Sequence, residues 1–144
     1  MTVLELDRIG HAYFGRTVLD HISLDVEAAE IVALVGPSGC GKSTLIHIAA
    51  GIVDQRRGRI RRNYSQHGMI FQEPRLLPWA TANDNIGYPL RIAGMKRRDR
   101  DEAVKRAANR VAFELADLDK YPSELSGGMQ QRVAIARALV IEPD

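Results

Sequence analysis

Cysteine is nearly missing from this chain: Cys40 is the single one in 144 residues, so no internal disulfide is possible and a reducing compartment is the natural setting. Long apolar runs are missing as well, and none approaches the roughly 20 residues that a membrane-spanning helix needs. The N-terminus, Met1-Thr2-Val3-Leu4-Glu5, lacks the basic and apolar blocks of a secretion signal. Neither charge sign dominates, since 20 Lys and Arg stand against 18 Asp and Glu for a net charge of +2, and no strong field points to nucleic acid or to an anionic membrane. Sustained heptads and internal repeats are absent, which excludes a coiled coil or a solenoid. The expectation is a cytoplasmic domain long enough to bury a core of its own, whose link to any membrane runs through a partner.

Glycine, in contrast, is concentrated. Gly36-Pro37-Ser38-Gly39-Cys40-Gly41-Lys42-Ser43-Thr44 has the spacing of a phosphate-binding loop: Gly, four residues, Gly, Lys and Ser. Glycines let consecutive backbone N–H groups converge on phosphate oxygens. Lys42 adds a point charge for the terminal phosphates, Ser43 a hydroxyl for Mg²⁺, and the following helix its positive N-terminal end. The flanks agree with this reading. The apolar, β-branched run over 30–35 predicts a buried strand, and Ser43 to Ala50 predicts a helix stopped at Gly51.

The rest of the chain can be set around this loop. Residues 3–8 and 20–27 alternate apolar and polar positions and predict half-exposed strands. Between them, Tyr13 and Phe14 beside Gly15 offer a ring for stacking on a purine or a plug for the sheet edge. The turn Glu27-Ala28-Ala29-Glu30 holds no glycine, so a positive φ there would strain Ala29 by about 1 kcal/mol. Five arginines in residues 55–62 predict a solvated hairpin, because no aromatic residue is interleaved among them. Two prolines exclude regular structure over 73–79, where Leu76, Leu77 and Trp79 are either satellite core or a docking surface.

From Asn83 the periodicity is helical. Ala103, Val104, Ala107, Ala108, Val111 and Leu115 fall on one predicted face, after a mixed-sign solvated start over 96–102, and Tyr121-Pro122 breaks the region. Next comes Leu125-Ser126-Gly127-Gly128-Met129-Gln130-Gln131-Arg132. Ser126 is a natural N-cap, and Met129, Val133, Ala136 and Leu139 form a stripe on the helix that follows. A serine and two glycines at a helix start make a second anion-binding end.

The phosphate loop, then Phe71-Gln72, then Leu125-Ser126-Gly127-Gly128-Met129-Gln130-Gln131-Arg132 closely resemble the nucleotide-binding subunits of ATP-binding cassette (ABC) transporters. Phe71 to Trp79 is similar to importers of the nitrate, sulfonate and taurine type. The resemblance implies an α/β fold: a P-loop NTPase (RecA-like) core with an N-terminal antiparallel β-subdomain and an inserted α-helical subdomain, the core incomplete. It implies residues 3–72 for the β-subdomain and the start of the core, 73–125 for the helical subdomain and 126–144 for the signature helix. It also implies a head-to-tail dimer in which each ATP lies between the phosphate loop of one copy and the signature of the other. Tyr13 would stack on adenine, and Gly36, Pro37, Ser38, Gly39, Cys40, Gly41, Lys42, Ser43 and Thr44 would hold the phosphates. Ser43 and Gln72 would serve Mg²⁺, with Gln72 also at the attacking water. Ser126, Gly127, Gly128 and Gln130 would meet the γ-phosphate across the dimer.

Other partners implied are a transmembrane permease, gripped by a mobile segment from 73 to about 125, and indirectly an extracytoplasmic solute-binding protein. The location implied is the inner face of the cell membrane. In the family, residues after Glu142-Pro143-Asp144 supply an apolar strand, a Mg²⁺-binding Asp, a catalytic Glu and a switch His, so the 144-residue chain alone is expected to lack ATPase activity. Ala29 stands where the family usually has Gly, and the interval from Gly58 to Gly68 is short, so the hairpin before Gln72 is expected to be abbreviated. Relatives acting on ribosomes or DNA are the alternative. Against the DNA type, the interval from Lys42 to Ser126 carries no heptads.

Overall fold

The computed structural model describes residues 1–144, which divide into two compact units, Met1–Ser65 and Gln66–Asp144. In the first, strands β1 (Thr2–Tyr13) and β2 (Arg16–Glu27) form an antiparallel hairpin from Thr2 opposite Glu27 to Tyr13 opposite Arg16. The two-residue turn is Phe14-Gly15, with φ of 48° and 82°. Both residues are left-handed, as a turn that follows the right-handed twist of the strands requires.

Helix α1 (Lys42–Ala49) lies against this sheet, and Leu6, Ile9, Leu19, Leu45 and Ile48 form the buried cluster. Gly51, at φ 73°, ends the helix as the spacing predicts. Strand β3 (Arg57–Arg62) completes a sheet of order β2-β1-β3. The arginine run is thus an edge strand on β1 rather than a local hairpin. Its alternating charges blunt an exposed edge, and Arg61 pairs with Glu5 at 3.1 Å. Arg62 turns inward and donates to the carbonyls of Ala49 and Ile48 at 2.9 and 2.8 Å, capping α1 with a cation at its negative end.

The strand expected over 30–35 is not formed. No regular structure spans 30–41, and Ile31 and Val35 are 96% and 93% exposed. An apolar run becomes a strand only when a neighbour takes its N–H and C=O groups, and the sheet order contains no parallel neighbour for it. Ala29 does adopt φ 62°, the strained turn anticipated for it.

The second unit is helical. Helices α2 (Ala82–Ile92), α3 (Arg97–Arg110) and α4 (Gly127–Leu139) enclose Ile86, Leu90, Val104, Ala108, Val133 and Ala136. Ala103, Val104, Ala107 and Ala108 are buried as predicted, but Leu115 is 43% exposed in a short 3₁₀ turn. The left-handed Ala112, at φ 52°, has broken the helix before it, and Phe113 and Leu118 fill the core instead. Between β3 and α2 the chain forms no regular element, so even an abbreviated hairpin before Gln72 is absent. The compact units divide at 65/66, and α4 packs with α2 and α3.

Candidate functional site

The phosphate-loop candidates lie together in the first unit. Gly41 is the N-cap of α1 at φ 97°, and a Cβ there would stand 2.8 Å from Leu19 and 2.9 Å from the Val18 carbonyl, so only glycine fits. The loop's other residues, Gly36 to Cys40, are exposed. Lys42 folds back across them: its Nζ donates to the carbonyls of Gly36 at 2.8 Å and Pro37 at 2.7 Å, and lies 3.6 Å from Cys40 Sγ. The ammonium is thereby poised over a ring of backbone. No side chain caps α1 and no acidic residue occupies its first turn. Its leading N–H groups and positive dipole end are thus open to an anion. Ser43 is exposed and Thr44 half-buried at that end.

Tyr13 is at the hairpin tip, 42% exposed, while Phe14 projects fully into solvent, so neither ring plugs the sheet edge. The Tyr13 ring is braced by the buried His11, whose ring centroid is 4.6 Å away at 69°. Residues two apart on a strand share a face, which is why these rings meet.

The other candidates lie in the second unit. Gln72 is exposed in an irregular stretch. Ser126 caps α4, its Oγ accepting from the Met129 N–H at 3.3 Å. Gly127 and Gly128 are exposed, neither has a positive φ, and an added Cβ on either would meet nothing within 4 Å. This chain's own backbone and packing therefore do not require glycine at either position.

Gln130 differs from the expectation. Its amide donates to the carbonyls of Pro122 at 2.9 Å and Leu125 at 3.2 Å. Both donor hydrogens are committed, leaving only an acceptor, so in this conformation Gln130 fixes the turn before Ser126 rather than offering a donor to phosphate.

Two residues that the sequence reading passed over organise the segment after Gln72. Asn85, fully buried, accepts from the Leu77 N–H at 2.8 Å and donates to the carbonyls of Leu77, Ala80 and Thr81. Arg137 on α4 donates to the carbonyls of Arg75 at 3.0 Å and Pro74 at 2.8 Å, and burial lowers its pKa from the ordinary arginine value. A polar residue within an otherwise apolar helical stripe was the available signal for both. The same segment leaves Leu76 half-buried against the core and Trp79 75% exposed, so it divides between the two readings of it.

A family model described as ABC transporter matches residues 19–144. An aliphatic sulfonates import ATP-binding protein of Burkholderia cenocepacia is 47% identical over 95% of this chain and 52% of its own length. A taurine import ATP-binding protein of Escherichia coli is 37% identical over 98% of this chain and 58% of its own. The chain thus spans little more than half the length of these curated relatives. Among solved structures, a dimeric bacterial ABC transporter cassette superposes with a TM-score of 0.89 at 28% identity, covering 97% of this chain and 70% of that one.

Proposed function

Because the chain belongs to the ABC transporter family over residues 19–144, we propose that it is the ATP-binding portion of an importer's energy-coupling subunit. The observation that carries this reading is the loop of residues 36–44, where Lys42 spans two carbonyls beside an uncapped helix end. A triphosphate entering this cradle takes Lys42 from neutral carbonyls to anionic oxygens, a stronger charge-assisted bond. Tyr13 stacks on the base. Ser126, Gly127 and Gly128 of a second copy close on the γ-phosphate, which the unencumbered glycines of α4 support, with Gln130 holding their turn. Ser43, exposed at the start of α1, fits a Mg²⁺ held chiefly by phosphates and water.

Hydrolysis in such a site is in-line attack by water, catalysed mainly by positioning and charge. The first turns of α1 and α4 contain no acidic residue to activate that water. The relatives' names support a sulfonate- or taurine-type importer, with a permease and an extracytoplasmic solute-binding protein as further partners. No helix is long and apolar enough to cross a membrane, in keeping with a peripheral subunit on the cytoplasmic face.

The test is calorimetric titration of ATP with Mg²⁺ into the chain and into Lys42→Ala. Saturable binding that falls more than about tenfold in the variant supports the reading, since a charge-assisted contact is worth about 1.5–3 kcal/mol. Equal affinity in both would sink it.

A further inference from the structure

We propose that Arg56 forms the wall of the nucleobase cleft opposite Tyr13, so that a purine lies between an aromatic ring and a guanidinium plane. The inference rests on the reading of Tyr13 as the platform for the base and adds a specificity-determining residue to it. Ala12, Tyr13, Phe14, Gly15 and Arg56 line one open cleft of about 360 Å³ in the first unit. That volume falls in the range of roughly 300–1,000 Å³ usual for small-molecule clefts.

Both walls are held at their bases. The Arg56 N–H donates to the Gly10 carbonyl at 2.9 Å, tying the approach to β3 onto β1 three residues before Tyr13. The next residue, Arg57, needs the bare Cα of Gly10, where a Cβ would stand 3.2 Å from its own. On the other side, His11 braces the Tyr13 ring edge-on. The Arg56 side chain itself is uncommitted. Arg61 and Arg62 of the same run are engaged by Glu5 and by the end of α1, whereas no carboxylate or carbonyl takes the Arg56 guanidinium.

The chemistry follows from the guanidinium's shape. It is planar, weakly hydrated and stacks on π faces, and the two fused rings of a purine offer it a larger face than the single ring of a pyrimidine. The cleft should therefore discriminate purine from pyrimidine nucleotides more than adenine from guanine.

Titrations of ATP, GTP and CTP at one ionic strength into the 144-residue chain, Arg56→Ala, Arg56→Lys and Arg57→Ala test this. Arg56→Ala is expected to weaken ATP and GTP about 3- to 10-fold and CTP less than about twofold, as loss of a planar guanidinium stacked on the base implies. Arg56→Lys should not restore affinity, because an ammonium has no plane. Arg57→Ala removes the same charge one residue away and should leave all three affinities unchanged. Full affinity in Arg56→Ala or Arg56→Lys, or an equal loss in Arg57→Ala, overturns the proposal. A parent chain that binds none of the three nucleotides defeats the functional reading itself, and this inference with it.

Discussion

Lys42 and Gly41 sit side by side and make different demands on the chain. Lys42 is replaceable as far as folding goes, since its bonds run to exposed carbonyls that water can satisfy. Gly41 is not: alanine there takes on a left-handed strain of about 1–2 kcal/mol and overlaps Val18 and Leu19, which adds about 1–3 kcal/mol of overpacking. Urea unfolding of Gly41→Ala should show a loss of at least about 2 kcal/mol, with Lys42→Ala within about 0.5 kcal/mol of the parent.

Ala29 gives the opposite sign. At φ 62°, Ala29→Gly relieves about 1–2 kcal/mol of strain against about 0.5–1 kcal/mol of added chain entropy, so the midpoint should rise slightly. Cys40 is exposed in the loop, with its sulfur 3.6 Å from Lys42 Nζ. Complete alkylation with a bulky maleimide should abolish nucleotide binding, and unchanged binding in the alkylated protein would refute its place at the mouth of the cradle.

At the scale of elements, helix α4 separates stability from function. Glycine within a helix costs roughly 0.5–1 kcal/mol relative to alanine, and nothing within 4 Å would oppose a Cβ at Gly127 or Gly128. Gly128→Ala should therefore melt higher than the parent by circular dichroism while losing ATP-driven dimerisation in sedimentation. A lower melting temperature would contradict the structural half of that argument, and unchanged dimerisation the functional half. Asn85 shows the reverse pattern, because its amide satisfies four backbone groups from a fully buried position. Asn85→Ala should cost about 2–3 kcal/mol or more, as expected when buried polar groups lose their partner, with Trp79 fluorescence reporting the loosened segment.

Much at this scale was legible without coordinates. The start of α1, its stop at Gly51, the Ser126 cap and the buried alanines of α3 all follow from local chemistry. The end of α3 did not, because periodicity cannot reveal that Ala112 goes left-handed. Nor did the hold of Arg137 on residues 74 and 75, which joins groups remote in the chain.

Taken whole, the molecule is two units, each with a core of its own, and in the first an apolar segment over 31–35 that is exposed except at Leu34. Hydrogen exchange should show amides 31–35 exchanging rapidly while β1 and α4 are protected, since protection follows hydrogen bonding and burial. Slow exchange over 31–35 would mean that the segment has found a partner strand. What the amino-acid order determined by itself was the chemistry written in neighbouring residues: a glycine-rich loop running into Lys42, Ser43 and a helix start, and a Ser126-capped helix that starts with two bare residues. What only the tertiary structure decided was every feature that needs a distant partner. The run at 30–35 lacks a neighbouring strand, the arginine run found one in β1, Arg56 came to share a cleft with Tyr13, and Gln130 spent its donors on its own chain. Hydrogen bonds and buried surface are satisfied by whichever groups the fold brings near, and their identity is not encoded in any short window of residues.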